Sequence, residues 1–362
     1  MKTTTKKILL YPASLLYQLA TQIRNKFYDL EILKSNYADI PTISIGNITV
    51  GGTGKTPHAE YIISLLKDKY KLAYLSRGYK RKSIGYQEAK KESNAHILGD
   101  EAYQVHCKFP EITVAVDADR FRAISNLKNR ENKPDIVVLD DCYQYRKLHP
   151  DINILLIDYN RLTYLDYYLP CGQLRESKHN TDRANIVIIT KCPKSINPAD
   201  KLSIRTQLGL LAYQSLFFTG IDYLVPRGVF YNTTLELSDD MELIAMSAIS
   251  QPQHLHAYLK AQSKVLHTIT YEDHHTYTQQ DIKKLNGIFE KLTEGKRAII
   301  ITEKDKAKLR HINMPDDIKN NIYSIDIDID FMFDDKDNFD KKMVSLSGII
   351  TSSKRFNIIN IM

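Results

Sequence analysis

The sequence predicts an α/β protein: a mainly parallel β-sheet flanked by helices, followed by a smaller C-terminal α/β unit across a hinge. Short apolar runs of strand length alternate with helical segments at 42–46, 72–76, 112–116, 136–140, 153–158 and 186–190. A glycine-rich turn separates the first run from a helical pattern. Near residue 220 the texture changes: Gly220, Pro226 and Gly228 precede short polar-rich strands at 229–240, and a second α/β unit begins at Leu243. At 362 residues the chain exceeds what one hydrophobic core usually serves. The expected division is a helix over 1–28, a core domain over 29–220 and a smaller domain over 221–362. Hydrophobic residues at 43% and charged residues at 26% exclude a disordered or collagenous chain. No apolar run approaches the roughly 20 residues that span a bilayer. Four dispersed cysteines (107, 142, 171 and 192) form no CxxC pair and point to reduced thiols.

The first element is a helix. Leu15, Leu19, Ile23 and Phe27 recur every four residues, with Leu16 and Ala20 beside them, and make one apolar stripe. Residues 1–35 carry Lys2, Lys6, Lys7, Arg24, Lys26 and Lys34 against Asp29 and Glu31, the densest part of a net charge of +7. Pro12 and Gln18 interrupt the apolar stretch and no small-x-small site follows, which argues against a cleaved signal peptide. A basic amphipathic helix lying on a membrane interface fits the pattern, and so does a helix packed on its own domain.

Next come a strand and its loop. Pro41–Ile45 reads as a buried strand, Gly46 to Pro57 reads GNITVGGTGKTP, and a helical pattern starts at His58. Strand, glycine-rich turn and helix are the context of a phosphate-binding loop over Thr49, Val50, Gly51, Gly52, Thr53, Gly54, Lys55 and Thr56. Backbone N–H groups close round phosphate oxygens, and the helix N-terminus adds its positive end. Lys55 would reach the β- and γ-phosphates, and the Thr56 hydroxyl would ligate Mg²⁺. Thr49 stands where the common pattern has its first glycine. The strand Ile136–Leu139 ends in Asp140 and Asp141, carboxylates suited to holding the metal directly or through water. Thr190-Lys-Cys-Pro193 resembles a guanine-reading motif without its acid, which favours ATP over GTP.

Three polar clusters follow. Asp100 and Glu101 come after Gly99 at a helix start; either could cap that helix, or a carboxylate there could accept a proton from an attacking hydroxyl. Asp273-His274-His275 lacks zinc-site partners, but an Asp–His unit facing the loop could position or deprotonate a nucleophile. Thr302-Glu-Lys-Asp305 reads as a charged helix start. Ile325–Asp330 alternates as a half-exposed strand, and Phe331 stands where a calcium loop needs glycine.

In order along the chain, these motifs resemble one family, the tetraacyldisaccharide 4'-kinases. The resemblance runs from Pro12–Tyr17 through the phosphate loop, Ser76-Arg-Gly-Tyr79, Gly99-Asp-Glu101, Asp140-Asp-x-x-Gln144, Leu169-Pro-x-Gly172, Leu174-Arg-Glu176 and Asp273-His-His275 to Thr302–Asp305. It implies transfer of the γ-phosphate of ATP, with Mg²⁺, to the 4'-hydroxyl of an acylated glucosamine disaccharide 1-phosphate lipid. It also implies a peripheral enzyme on the cytoplasmic face of the inner membrane, touching an anionic membrane surface; no nucleic-acid partner is expected. Carried over by motif, Asp100 is the general base, oriented by His274 or Asp273, and Lys55 with Arg77 stabilises the transferring phosphoryl group. Cys142 and Tyr145 stand where the family usually has glycine and histidine, Lys80 replaces a common glycine, and Gln173 a usual proline. If the glycine is needed for a positive φ, Cys142 would be strained.

Overall fold

A computed structural model describes residues 2–352, with side chains from residue 9 onward. Helix α1 spans Lys2–Asp29 and runs through Pro12. The charges of Lys2, Lys6 and Lys7 lie outside the described side chains.

The core domain follows, with strands β1 (Thr42–Gly46), β2 (Leu72–Ser76), β3 (Gln87–Glu88), β4 (Thr113–Val116), β5 (Ile136–Asp140), β6 (Ile152–Asp158), β7 (Ile186–Thr190) and β8 (Ser215–Tyr223). Every residue of β1, β2, β5, β6 and β7 is buried, which is why these strands read as unbroken apolar runs rather than alternating ones. Strand β1 lies between β5 and β6, parallel to both, so the loop that leaves its carboxyl end opens at the centre of the sheet. Helix α2 (Lys55–Leu66) receives the chain from that loop, and α3 (Asp100–Lys108) starts at the predicted acidic pair.

The second sheet comprises β9 (Arg227–Gly228), β10 (Glu242–Ser247), β11 (Val265–Thr270), β12 (Arg297–Thr302) and β13 (Ile322–Ile325), in the order β9-β13-β12-β10-β11. Helix α4 (Glu303–Leu309) begins at Thr302, whose hydroxyl caps it by accepting from the Asp305 N–H. Residues 229–240 form no strand among the described residues, only an isolated bridge between Arg227 and Thr234.

The expected division at residue 220 requires correction at both ends. Strand β8 runs through it to Tyr223. Strand β14 (Ile327–Phe331) then leaves the second sheet and pairs antiparallel with β8, completing the order β14-β8-β7-β6-β1-β5-β2-β4-β3. Helix α5 (Lys336–Thr351) follows, and its Phe339, Met343, Leu346 and Ile350 join α2 residues Ile62, Ile63 and Leu66 in the main core. The chain therefore visits the smaller domain over about 224–326 and comes back. The last ten residues of the expected second domain lie outside the described residues.

Helix α1 docks by its polar side. Ser14 Oγ donates to the Tyr168 carbonyl (2.5 Å), Tyr17 to the Arg175 carbonyl (3.2 Å) and Arg24 to the Gln144 carbonyl (2.9 Å). The apolar stripe faces outward: Leu15, Leu19, Ile23 and Phe27 are 43–54% exposed and Leu16 70%. A helix packed by its stripe on its own domain is thereby excluded.

Candidate active site

The loop after β1 is clamped from outside. Asn47 Nδ2 donates to Thr53 Oγ1 (2.9 Å), and Gln144 Nε2 donates to the Asn47 carbonyl (2.8 Å). Thr190 Oγ1 donates to the Thr53 carbonyl (3.0 Å). Lys191 Nζ donates to the Gly52 carbonyl and to Gln251 Oε1, and pairs with Asp158 at 2.9 Å. Gly51 (φ 102°) and Gly54 (φ 85°) supply the left-handed turns that this path needs. Among the described residues, nothing accepts from the N–H groups of Gly51, Gly52, Thr53 and Gly54. Four orphan donors beside a helix N-terminus make an anion nest. Thr49 and Val50 play a different part: Thr49 is buried and bridged to Leu174, and the Val50 N–H is committed to the Gln173 carbonyl at 2.8 Å. They form the wall of the nest.

Behind the loop stands the acid pair at the end of β5. Burial pushes the Asp140 carboxyl up to about 6, against the pull of Lys55 and of the Tyr74 hydroxyl, which donates to Oδ2 at 2.6 Å. Asp140 Oδ1 is buried and has no partner. Asp141 lies 3.7 Å from Lys55 and 3.2 Å from Arg175; these cations and Arg120 outweigh its burial and hold its carboxyl below the usual range. The positive φ of this turn falls on Asp141 (47°), and Cys142 is simply buried beneath it, so the strain expected at Cys142 is absent. Lys80, in place of the common glycine, does adopt a positive φ (56°).

The second domain brings its own cluster to the cleft. His274, at φ 69°, approaches Asp100 Oδ2 to 2.9 Å through Nδ1. Lys308 Nζ lies 2.6 Å from the same oxygen. Burial works to raise the Asp100 carboxyl, but the hydrogen bonds from His274 and Lys308 win and hold it at about 2. Asp273 does not reach Asp100 directly: it pairs with Lys304 at 2.9 Å and stands 3.7 Å from His274 Nε2, so the orienting group on Asp100 is His274. The predicted Arg77 is exposed at the end of β2 and makes no ion pair among the described residues. Lys304 lies in the Thr302–Asp305 motif, which the sequence left without a role, and Lys308, one turn on, was missed because four-residue spacing on a helix reads as a solvated face.

Below this cluster, Asp305 is buried and accepts from the hydroxyls of Tyr277 (2.8 Å) and Thr302 (2.6 Å) and from the Ala248 N–H (3.3 Å). That fixes the start of the segment whose Ser250 crowds Gly52, leaving 2.7 Å to where a Cβ would stand. The two domains thus meet over the phosphate nest. The Asp140 carboxyl feels both Lys55 and Glu101, the neighbour of Asp100, which places the nest, the acid pair and the Asp100–His274 pair in one electrostatic site.

Comparison with known proteins identifies the family. The family model described as tetraacyldisaccharide-1-P 4'-kinase matches residues 6–347. The chain is 42% identical over 341 residues to the tetraacyldisaccharide 4'-kinase of Phocaeicola vulgatus, covering 92% of this chain and 93% of that one. It is 43% identical over 307 residues to the Flavobacterium johnsoniae protein of the same name, covering 83% and 87%. A crystal structure of LpxK from Aquifex aeolicus in complex with ATP superposes with a TM-score of 0.73 at 26% identity, over 94% of this chain and 99% of that one. The chain belongs to the tetraacyldisaccharide-1-P 4'-kinase family, the lipid kinases of lipid A biosynthesis.

Proposed function

We propose that ATP binds with its β- and γ-phosphates in the Gly51–Thr56 nest, and that Asp100 receives the proton of the lipid's 4'-hydroxyl as that oxygen attacks the γ-phosphorus. The new O–P bond forms as the bond from the β–γ bridging oxygen to the γ-phosphorus breaks. The bond's electron pair stays on ADP, and the hydroxyl proton moves to the Asp100 carboxylate. The way the second domain bridges the cleft carries this reading: its Ser250 crowds Gly52 of the phosphate nest while its His274 holds Asp100 at 2.9 Å. A carboxylate held at about 2 is a weak base, yet it suits a loose phosphoryl transition state, in which the hydroxyl loses its proton late and the base must chiefly be ionised and oriented. His274 fixes the orientation from the second domain, and Lys308 supplies compensating charge.

The acid pair also fits Mg²⁺. Asp140 Oδ1 is an orphaned buried acceptor behind the loop, and Thr56 opens α2 beside Lys55. Thr56, Asp140 and Asp141 would hold the ion, which supplies positive charge to the phosphate oxygens. The acceptor's acyl chains call for a surface to present them. The outward stripe of α1, with basic residues nearby, supports peripheral attachment to an anionic leaflet, on the cytoplasmic face of the inner membrane where ATP is available. No helix among the described residues is long and apolar enough to cross a membrane.

The test is transfer of label from γ-labelled ATP to a disaccharide 1-phosphate lipid in detergent micelles with Mg²⁺. Label should enter the lipid with the wild type and not with Lys55→Ala. Asp100→Asn should lower kcat about 10²- to 10⁴-fold while leaving ATP affinity unchanged. An equal loss of ATP binding in Asp100→Asn would make Asp100 a nucleotide or metal ligand instead of the base.

A further inference from the structure

One strong cation beside the phosphate nest has no counter-charge among the described residues. Arg161 follows β6 in a single 3-10 turn, Tyr159–Arg161, three residues after Asp158. Its guanidinium lies against Gly51: a Cβ placed there would stand 3.3 Å from Nη1 and 3.9 Å from Nη2. The other cations round the nest have carboxylate neighbours. Lys191 pairs with Asp158, Arg175 with Asp141, and Lys55 approaches Asp141. Among the described residues, Arg161 makes neither an ion pair nor a hydrogen bond. It nevertheless adds to local repulsion, since its charge and that of Lys55 both press on the Lys191 ammonium. Like charges gathered round a loop of orphan N–H donors are at rest only when an anion lies between them.

A second group points to the same spot. Gln173 Oε1 is buried without a partner, 3.9 Å from the same Gly51 Cβ position. Gln173 stands on the segment that clamps Val50, so its place relative to the nest is fixed by the backbone. A guanidinium carries five donors in a planar fork, enough to hold phosphate oxygens on one edge and an amide oxygen on the other.

We propose that Arg161 is a catalytic residue of the phosphoryl transfer, reaching across Gly51 to hold the γ-phosphate oxygens, with Gln173 as the residue that positions its guanidinium. This rests on the reading that the ATP phosphates occupy the Gly51–Thr56 nest. As the O–P bond to the acceptor forms and the bond to the bridging oxygen breaks, negative charge is spread over the equatorial oxygens and the departing ADP. A fixed guanidinium at that point stabilises the transition state more than bound ATP, as arginines supplied within the chain do in other phosphate-loop enzymes. Gly51 is then required for approach as well as for its φ, since a side chain there would stand between the fork and the phosphate.

The test compares wild type, Arg161→Ala and Arg161→Lys in full-length protein, with melting temperatures to confirm folding. Half-exposed and unbonded, Arg161 can be removed without leaving a partner unsatisfied. Arg161→Ala should lower kcat at least about 100-fold, with the KM for ATP and for the lipid acceptor changed only a few-fold. Arg161→Lys should fall between the two, because it keeps the charge and loses the fork. Free guanidinium should restore part of the Arg161→Ala rate and none of the Lys55→Ala rate. ADP with aluminium fluoride, a mimic of the transferring phosphoryl group, should bind Arg161→Ala far more weakly than wild type while ATP binds both alike. A raised acceptor KM at unchanged kcat would overturn the proposal and assign Arg161 to the acceptor's own phosphate. Unchanged kinetics would overturn it too. Equal ATP binding by wild type and Lys55→Ala would overturn the nest reading itself, independently of Arg161.

Discussion

Asp100 is a half-buried carboxylate kept charged by two hydrogen-bonding neighbours, His274 and Lys308, that belong to the other domain. Its burial alone would raise its pKa; His274 and Lys308 reverse the sign and set it at about 2. A carboxyl depressed on folding stabilises the protein above its unfolded pKa of about 3.9, and that contribution is lost as pH falls through the folded value. The shift corresponds to about 2 to 3 kcal/mol. Asp100→Asn should therefore lower the melting temperature by a constant amount from about pH 5 to 8, with the gap closing as pH falls from about 4 toward 2. A gap that grows on acidification would mean the carboxylate is strained in the fold rather than stabilised. At this scale the sequence pointed to residues that the fold brings close, Lys55 beside Asp141 and His274 on Asp100, while Arg77 stays exposed without an ion pair among the described residues. Lys308 was hidden because nothing local distinguishes a lysine aimed across a cleft from one in solvent. Arg161 was hidden because its meaning depends on Gly51, 110 positions away.

Helix α1 was legible as an element and illegible in its orientation. Four-residue spacing made the apolar stripe plain, but a stripe packs inward on most globular proteins. The direction is set by Ser14, Tyr17 and Arg24, which donate to backbone carbonyls 120 to 158 positions downstream, pairings that no local pattern reveals. Two of those carbonyls belong to residues that serve the site: Arg175, which pairs with Asp141, and Gln144, which donates to Asn47. Because the stripe is outside, replacing Leu15, Leu19, Ile23 and Phe27 together by serine should shift stability by no more than about 2 kcal/mol in total, about 0.5 kcal/mol for each surface change. Each half-exposed side chain leaving water adds roughly 1 kcal/mol to membrane affinity, so the fourfold variant should lose about three orders of magnitude in partition to anionic vesicles. Vesicle sedimentation reads the second quantity and thermal melting the first. A large loss of melting temperature with sedimentation intact would mean the stripe packs on protein after all.

The route of the chain through the whole molecule was the least legible feature, and the reason is physical. Ile325–Asp330 reads as one alternating strand, yet the chain divides there at Asp326 between two sheets. Asp326 is held at that crossing by Lys108 (2.6 Å), which also pairs with buried Glu60 of α2 (2.8 Å), so the return path is pinned to the core domain's own helices. An ion pair between residues more than two hundred positions apart leaves no periodic trace in the sequence. Beyond the crossing, Phe339 of α5 packs edge-on against Phe217 of β8 and beside Tyr61 of α2, and it is almost fully buried. The last helix is thus part of the framework that holds the phosphate nest, although the second domain lies between them in sequence. Phe339→Ala removes a large buried side chain and should cost about 3 to 5 kcal/mol. If the fold is wired as described, that cost falls on the nucleotide-binding domain. Thermal unfolding should show it in the transition that added ATP raises, since ligand stabilises only the unit that binds it. A Phe339→Ala variant that melts early only in a transition indifferent to ATP would place α5 with the second domain and would sever the proposed link between the chain's end and its active site.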